Sequence, residues 1–266
     1  MCIAVYNCER YIGQAIESVL AQTMGDLELV VADNASTDRT VEIVRSYADP
    51  RIRLIQNERN IGPIANFNRA IAAARAPFVK LLGADDLLYP TCLDRQFAIM
   101  SADPSLVMVT CRRDVIDGDG NLIIRDHGWR TRAARIDGRR AVKSIVRRGR
   151  NLFGEPLTTL FRADAFAAAG GFDDTSDIGL WCKLLRTGHV FLIPEPLGAF
   201  RVNAGSCSMQ NNKEIPRSQR EFFASLRETG FDNITALDLF LGVLRSHRDR
   251  LLRDAVYAYV RLRGSM

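Results

Sequence analysis

The feature that most constrains this chain is a rhythm in its first 111 residues. Five short apolar runs, at 2–6, 27–32, 52–55, 78–82 and 106–111, are separated by stretches with helical spacing. Tyr11, Ile12, Ala15, Ile16, Val19 and Leu20 form one apolar helix face. Val41, Val44 and Tyr47 form a second, with Ser36 or Thr37 placed to cap that helix. Ile64, Phe67, Ile71 and Ala74 form a third, and Leu93, Phe97 and Met100 a fourth. Strands alternating with helices specify an α/β fold, a mostly parallel sheet with helices on both faces. Right-handed crossovers bring the carboxyl ends of parallel strands to one edge, where open α/β sheets bind ligands. The polar turns at Asn7, Asp33-Asn34 and Asp85-Asp86 all meet there.

Beyond Cys111 the rhythm changes. Asp117-Gly118-Asp119-Gly120-Asn121 between apolar flanks reads as a hairpin turn. A basic stretch follows, with Arg125, Arg130, Arg132, Arg135, Arg139, Arg140, Lys143, Arg147, Arg148 and Arg150. It suits a solvated surface, an anionic lipid-linked acceptor or an anionic bilayer. Further expectations are strands at 157–161 and 190–193, a helix at 164–169 ended by Gly170-Gly171, a helix at 178–185, and a mostly helical chain from Glu214 onward. The tail sets Leu239, Phe240, Leu241, Val243, Leu244, Leu251 and Leu252 among Arg245, Arg248, Arg250 and Arg253. Packing on the domain is the default for such a helix; a dimer contact and peripheral membrane contact are the alternatives.

Lys and Arg number 36 against 31 Asp and Glu, an excess too mild to specify nucleic acid. The six cysteines form no CxxC pair and read as buried, reduced thiols of a cytoplasmic protein, at the inner membrane face if the acceptor is lipid-linked. No apolar run approaches the roughly 18–20 residues of a membrane span. The first strand begins at Met1 without its first half, which predicts a natural start a few residues upstream.

Four constellations carry chemistry. Asp85-Asp86 at a strand end suits a hard divalent cation shared with substrate phosphates, and equally a solvated turn or helix cap. Asp33-Asn34 suits hydrogen bonds to a base or ribose, or an Asx turn. Tyr6, beside Asn7, suits stacking on a nucleobase, or the core. Asp173, Asp174 and Asp177 are alternative general bases, and Asp177 is also a natural helix N-terminal carboxylate. His127, His189 and His247 are scattered without ligand spacing, and GxGxxG, GxxxxGK and HExxH are absent.

These segments, in this order, resemble family 2 glycosyltransferases of the GT-A fold. The resemblance runs through 3–7, 17–23, Asp33-Asn34-Ala35-Ser36-Thr37-Asp38, Asn60-Ile61-Gly62, Ala84-Asp85-Asp86, Gly170-Gly171-Phe172-Asp173, Leu180-Trp181 and, more weakly, Phe200-Arg201-Val202. It implies inverting transfer from a nucleotide-sugar donor to a glycan or lipid-linked glycan. It sets Ala4, Tyr6, Asp33, Asn34, Asn60 and Asp85 around the nucleotide, Asp85 and Asp86 on Mg²⁺ or Mn²⁺, and Asp177 as general base. It divides the chain into a nucleotide-sugar-binding half (1–112), an acceptor-side half (113–213) and a helical C-terminal extension (214–266). Gly83 departs from the family, standing where many members carry the first aspartate of the metal motif. Asn34, Ser176 and Asn203 depart from acidic, acidic and histidine positions. Two other readings are a sugar nucleotidyltransferase, whose Gly-rich basic loop Asn7-Cys8-Glu9-Arg10 does not supply, and a non-catalytic nucleotide-sugar-binding protein.

Overall fold

The computed structural model describes residues 1–173, 176–203, 221–228, 230–246 and 254. Strands β1 (Cys2–Val5), β2 (Leu29–Asp33), β3 (Ile52–Gln56) and β5 (Leu81–Gly83) form one wholly parallel sheet in the order β3-β2-β1-β5. Successive residues of a strand face opposite sides. Ile3 and Val5 therefore join α1 (Ile12–Leu20) and Val44 of α2 (Thr40–Ser46) in one apolar core. Cys2 and Ala4 face a second core containing Ala70 and Ile71 of α3 (Pro63–Ala72). The sheet carries helices on both faces, as the alternation predicts.

The fifth predicted strand does not extend this sheet. β7 (Leu106–Ile116) instead centres a mixed sheet in the order β4-β10-β7-β11-β6. Its partners are β4 (Phe78–Val79), β6 (Leu87–Leu88), β10 (Thr159–Arg162) and β11 (His189–Arg201), with β8 (Leu122–His127) on β7 and β9 (Ala134–Asp137) on β11. Only β7 and β11 run parallel within it. β7 continues five residues beyond the apolar run, to Ile116, because its polar half has partners: Arg112 pairs with Asp126, and Arg113 with Glu155. The 117–121 turn does join a hairpin, between β7 and β8.

The predicted 78–82 strand is split at Lys80. β4 pairs in the mixed sheet and β5 in the parallel one, so the chain passes between the sheets at a fully buried lysine. Its Nζ donates to Gln96 Oε1 (2.9 Å) and to the Thr159 carbonyl (3.3 Å). Gln96 lies on α4 (Cys92–Ala102), whose inward residues are Cys92, Leu93, Gln96 and Met100. Phe97, expected inward, is exposed and packs edge-on against Phe78. The polar residue took the core position because it satisfies the lysine.

The basic stretch becomes β8, β9 and α5 (Gly138–Arg148), with Asp137 capping α5 by accepting from the Arg140 N–H. Helix α6 (Ala163–Ala168) precedes Gly170-Gly171, both at positive φ, and α7 (Ser176–Leu184) follows. Of the predicted tail, Cys207, His247, Leu251, Leu252, Arg248, Arg250, Arg253 and residues 214–220 lie outside the described residues. Helices at 221–225 and 236–246 are described. The second packs on α5, with Leu239 against the core. Among the described residues no helix is long and apolar enough to cross a membrane.

That packing depends on two glycines. Gly149 ends α5 at φ 67°, and a Cβ there would lie 2.0 Å from the Gly242 carbonyl oxygen. A Cβ on Gly242 would lie 2.2 Å from the Val146 oxygen. Gly149→Ala combines a left-handed backbone cost of about 1–2 kcal/mol with this clash. Urea unfolding is expected to show a loss of at least about 2 kcal/mol, well above that of an Ala substitution at exposed Gly25.

Candidate active site

Three strand ends of the parallel sheet are laced together before any ligand arrives. After β1 the chain turns at Asn7, whose φ is 48°. Its N–H donates to Ser36 Oγ (2.9 Å), and its Oδ1 accepts from the Thr37 N–H (2.8 Å). Asp38 accepts from the N–H groups of Glu9 (3.0 Å) and Thr40 (3.0 Å). Asp38, rather than Ser36 or Thr37, therefore serves the start of α2, because Ser36 is committed to the neighbouring turn. Tyr6 remains half exposed at the cleft mouth, its ring face available for stacking.

Asp33 and Asn34 are both buried. Asp33 accepts from the Ser36 N–H (3.2 Å), three residues on, which fixes the turn after β2. Asn34 Nδ2 donates to Asn60 Oδ1 (2.9 Å) and the Gly62 carbonyl (3.3 Å), and Oδ1 accepts from Asn57 Nδ2 (2.8 Å) and the Ile61 N–H (3.0 Å). An amide has two donors and two acceptor lone pairs, so Asn34 is saturated. In this arrangement the Asn34 side chain, at the cleft, holds the 57–62 loop that carries Asn60 there.

β5 runs into the acidic turn. Asp86 is buried and Asp85 half-buried. Asp86 Oδ1 accepts from the Arg201 N–H (2.9 Å), and Asp85 Oδ2 from Asn203 Nδ2 (2.9 Å). Gly83 leaves a cradle: a Cβ there would lie 2.6 Å from Asp86 Oδ2 and 3.2 Å from Asp85 Oδ1. The two remaining carboxylate oxygens therefore converge over one small space. Burial holds both carboxyls above their usual range, and for Asp86 the neighbouring Asp85 charge raises it further. Two converging oxygens destabilised as anions are a donor set suited to a hard divalent cation. Among the described residues no cluster of three or more His, Cys, Asp or Glu could complete such a site from protein alone. That leaves coordination positions for phosphate oxygens and water.

Sequence reasoning undervalued Arg201. Its buried guanidinium donates to the Asp85 carbonyl (2.7 Å), the Asp117 and Gly118 carbonyls (3.3 and 3.1 Å) and Gln14 Oε1 (2.7 Å), over the Tyr11 ring. The signal in the sequence was its place in the weaker stretch of the resemblance, Phe200-Arg201-Val202.

Asp177 occupies the first turn of α7 and is half-buried on the same cleft. One turn on, Trp181 anchors the helix, its Nε1 donating to the Gly154 carbonyl (3.3 Å) and its ring against Phe161 and Phe172. Burial, and then the Glu155 charge, push Asp177 up to about 7. Asp173 instead pairs with Lys183 Nζ (2.5 Å), and Asp174 lies outside the described residues. Of the two alternatives among the described residues, Asp177 is the one on the cleft. Glu155 also lines it. Cys8 is a neutral thiol there, pushed by burial up to about 12. His127, held neutral by burial and pushed down to about 4, stands on β8 away from the acidic pair.

The cleft holds about 840 Å³ and is lined by Ala4, Tyr6, Asn34, Asn60, Asp85, Asp86 and Asp177 among others. That volume lies within the roughly 300–1,000 Å³ of small-molecule sites. Asp33 supports the floor from beneath. Gly83→Ala is expected to push Asp86 Oδ2 aside and weaken Mn²⁺ binding at least about tenfold. Asp86→Asn, which keeps the Arg201 acceptor, should abolish it with little change in thermal midpoint; calorimetric titration of Mn²⁺ with a nucleoside diphosphate checks both.

Residues 1–168 match the family described as Glycosyl transferase family 2. The glycosyltransferase homologue EpsE of Bacillus subtilis (strain 168) is 28% identical over 229 residues, covering 79% of this chain and 77% of its own. The succinoglycan biosynthesis protein ExoO of Rhizobium meliloti (strain 1021) is 39% identical over 118 residues, covering 44% of this chain and 34% of its own. The structure of S. aureus TarS 1-349 in complex with UDP-GlcNAc superposes with a TM-score of 0.66 at 18% identity, over 85% of this chain and 65% of that one. The fold is GT-A, and the chain is a glycosyltransferase belonging to family 2.

Proposed function

We propose that the protein is an inverting, metal-dependent glycosyltransferase that moves a sugar from a nucleoside-diphosphate donor to an acceptor hydroxyl. The observation that carries this reading is that the Asp85–Asp86 pair and Asp177 open onto one cleft. Tyr6, Asn60 and the backbone beside Ala4 line the nucleotide end. Asp85 and Asp86 would hold Mg²⁺ or Mn²⁺, which would supply positive charge beside the donor diphosphate. Asp177 accepts the proton of the acceptor hydroxyl. The hydroxyl oxygen bonds to the anomeric carbon as the bond from that carbon to the diphosphate oxygen breaks, and the electron pair leaves with the nucleotide. A base on one side and a leaving group on the other invert the configuration.

The acceptor reading is a glycan or lipid-linked glycan. Its support is the helix at 236–246, where Leu237, Phe240, Val243 and Leu244 are exposed, packed on α5, where Arg147 and Arg148 are exposed. An apolar row beside basic residues suits peripheral contact with an anionic bilayer. Co-flotation with vesicles containing phosphatidylglycerol, but not with pure phosphatidylcholine, is expected, and Phe240→Glu with Leu244→Glu should abolish it.

The test of the activity is release of nucleotide from UDP-, GDP- and dTDP-sugars with and without Mn²⁺. Turnover of one donor class, dependent on Mn²⁺, is expected; binding without turnover across the panel would identify a non-catalytic binding protein. Asp177→Asn should lower kcat by about 10²–10⁴. Because burial raises Asp177, it is protonated and inactive as a base below pH about 7. Turnover should fall about tenfold per pH unit on that side, and be flat above it until another group titrates.

A further inference from the structure

Glu155 has no role in the mechanism above, yet it is held in place on the cleft wall through both its backbone and its side chain. It stands between Gly154, at φ 92°, and Pro156, which opens a short 3₁₀ turn (Pro156–Thr158). The Gly154 carbonyl accepts from Trp181 Nε1 and Asn151 Nδ2, and a Cβ on Gly154 would lie 2.7 Å from Thr158 Oγ1. The backbone at Glu155 is thereby pinned to α7 and to the mixed sheet. The side chain is clamped as well. Arg113 Nη2 donates to Oε1 (2.7 Å), and Arg113 Nε lies against Oε2. Oε2 is buried without a hydrogen bond. Arg113 is 6% exposed, whereas Glu155 keeps 27% of its side chain open. The pair is therefore asymmetric, with a hidden cation presenting a carboxylate.

Where it presents that carboxylate is informative. Glu155 lines the same cleft as Asp85, Asp86 and Asp177, facing both its diphosphate end and its base end. A third carboxylate is unfavourable beside two others, and a staple between β7 and the loop does not require it to face them. Groups that oppose their local electrostatics this way concentrate where a ligand uses them. Between the acidic pair and the base lies the ring whose anomeric carbon changes partners. A carboxylate whose charge is matched by Arg113 is an acceptor for neutral donors such as O–H and N–H.

We propose that Glu155, fixed by Arg113, is a specificity residue that accepts hydrogen bonds from hydroxyl or amide N–H groups of the sugar being transferred. This rests on the donor reading given above. The experiment compares a ligand with and without the sugar. Wild-type protein, Glu155→Gln and Glu155→Asp are titrated calorimetrically, with Mn²⁺ present, against the nucleoside diphosphate of the donor that wild-type protein turns over, and against that nucleotide-sugar. Both variants are expected to bind the bare diphosphate within twofold of wild type and the nucleotide-sugar at least tenfold more weakly. A nucleotide-sugar affinity within twofold of wild type would overturn the proposal, as would an equal loss for both ligands, which marks a structural staple. Glu155→Asp keeps the charge and supplies the answer should the Gln variant not fold. Wild-type protein that binds neither ligand would sink the donor reading itself, a separate result.

Discussion

One buried guanidinium organises the chemistry of this molecule. Arg201 ends β11, and its four side-chain acceptors come from the acidic turn, the β7–β8 hairpin and α1. A buried cation is costly unless it is paired and hydrogen-bonded. Here the compensation comes mostly from backbone carbonyls, so the charge tells the acidic turn where to sit without consuming its carboxylates. The main-chain N–H of the same residue takes Asp86 Oδ1. The mixed sheet thus delivers, through one residue, the orientation of a motif that belongs to the parallel sheet.

Around that anchor the cleft is electrostatically divided. At one end two carboxyls converge over Gly83 and gain most from an added cation. At the other, Asp177 is held by burial at a proton affinity near neutrality. In the proposed reaction, the desolvation that disfavours a carboxylate's charge suits the first pair to a metal ion and the second group to the role of base. Arg113 clamps Glu155 on the cleft wall without lining the cleft itself.

Much of this was readable from the chain because strand ends in a parallel sheet are forced to one edge. Asn7, Asp33 and the Asp85–Asp86 pair each follow an apolar run, and period alone places them together. What period could not reveal depends on partners distant in sequence. Asn34 looked like a ligand-facing amide; its saturation is visible only once the 57–62 loop folds over it. Phe97 looked inward because nothing local shows that Lys80 needs Gln96. β7 looked like the fifth parallel strand because its polar half finds ion-pair partners only in β8 and the Glu155 loop. Glu155, a lone glutamate before a proline, carried no pattern at all.

Lys80 has a consequence for how the molecule comes apart. The strand on either side of it is shared, β4 with one sheet and β5 with the other, and its Nζ is satisfied by Gln96 of α4 and the Thr159 carbonyl of β10. Drawing β10 or α4 away from this segment would leave the buried side chain without its acceptors, which is costly in a dry interior. The junction thus ties the crossing point of two architecturally distinct layers to a helix and a strand that neither local run of sequence names.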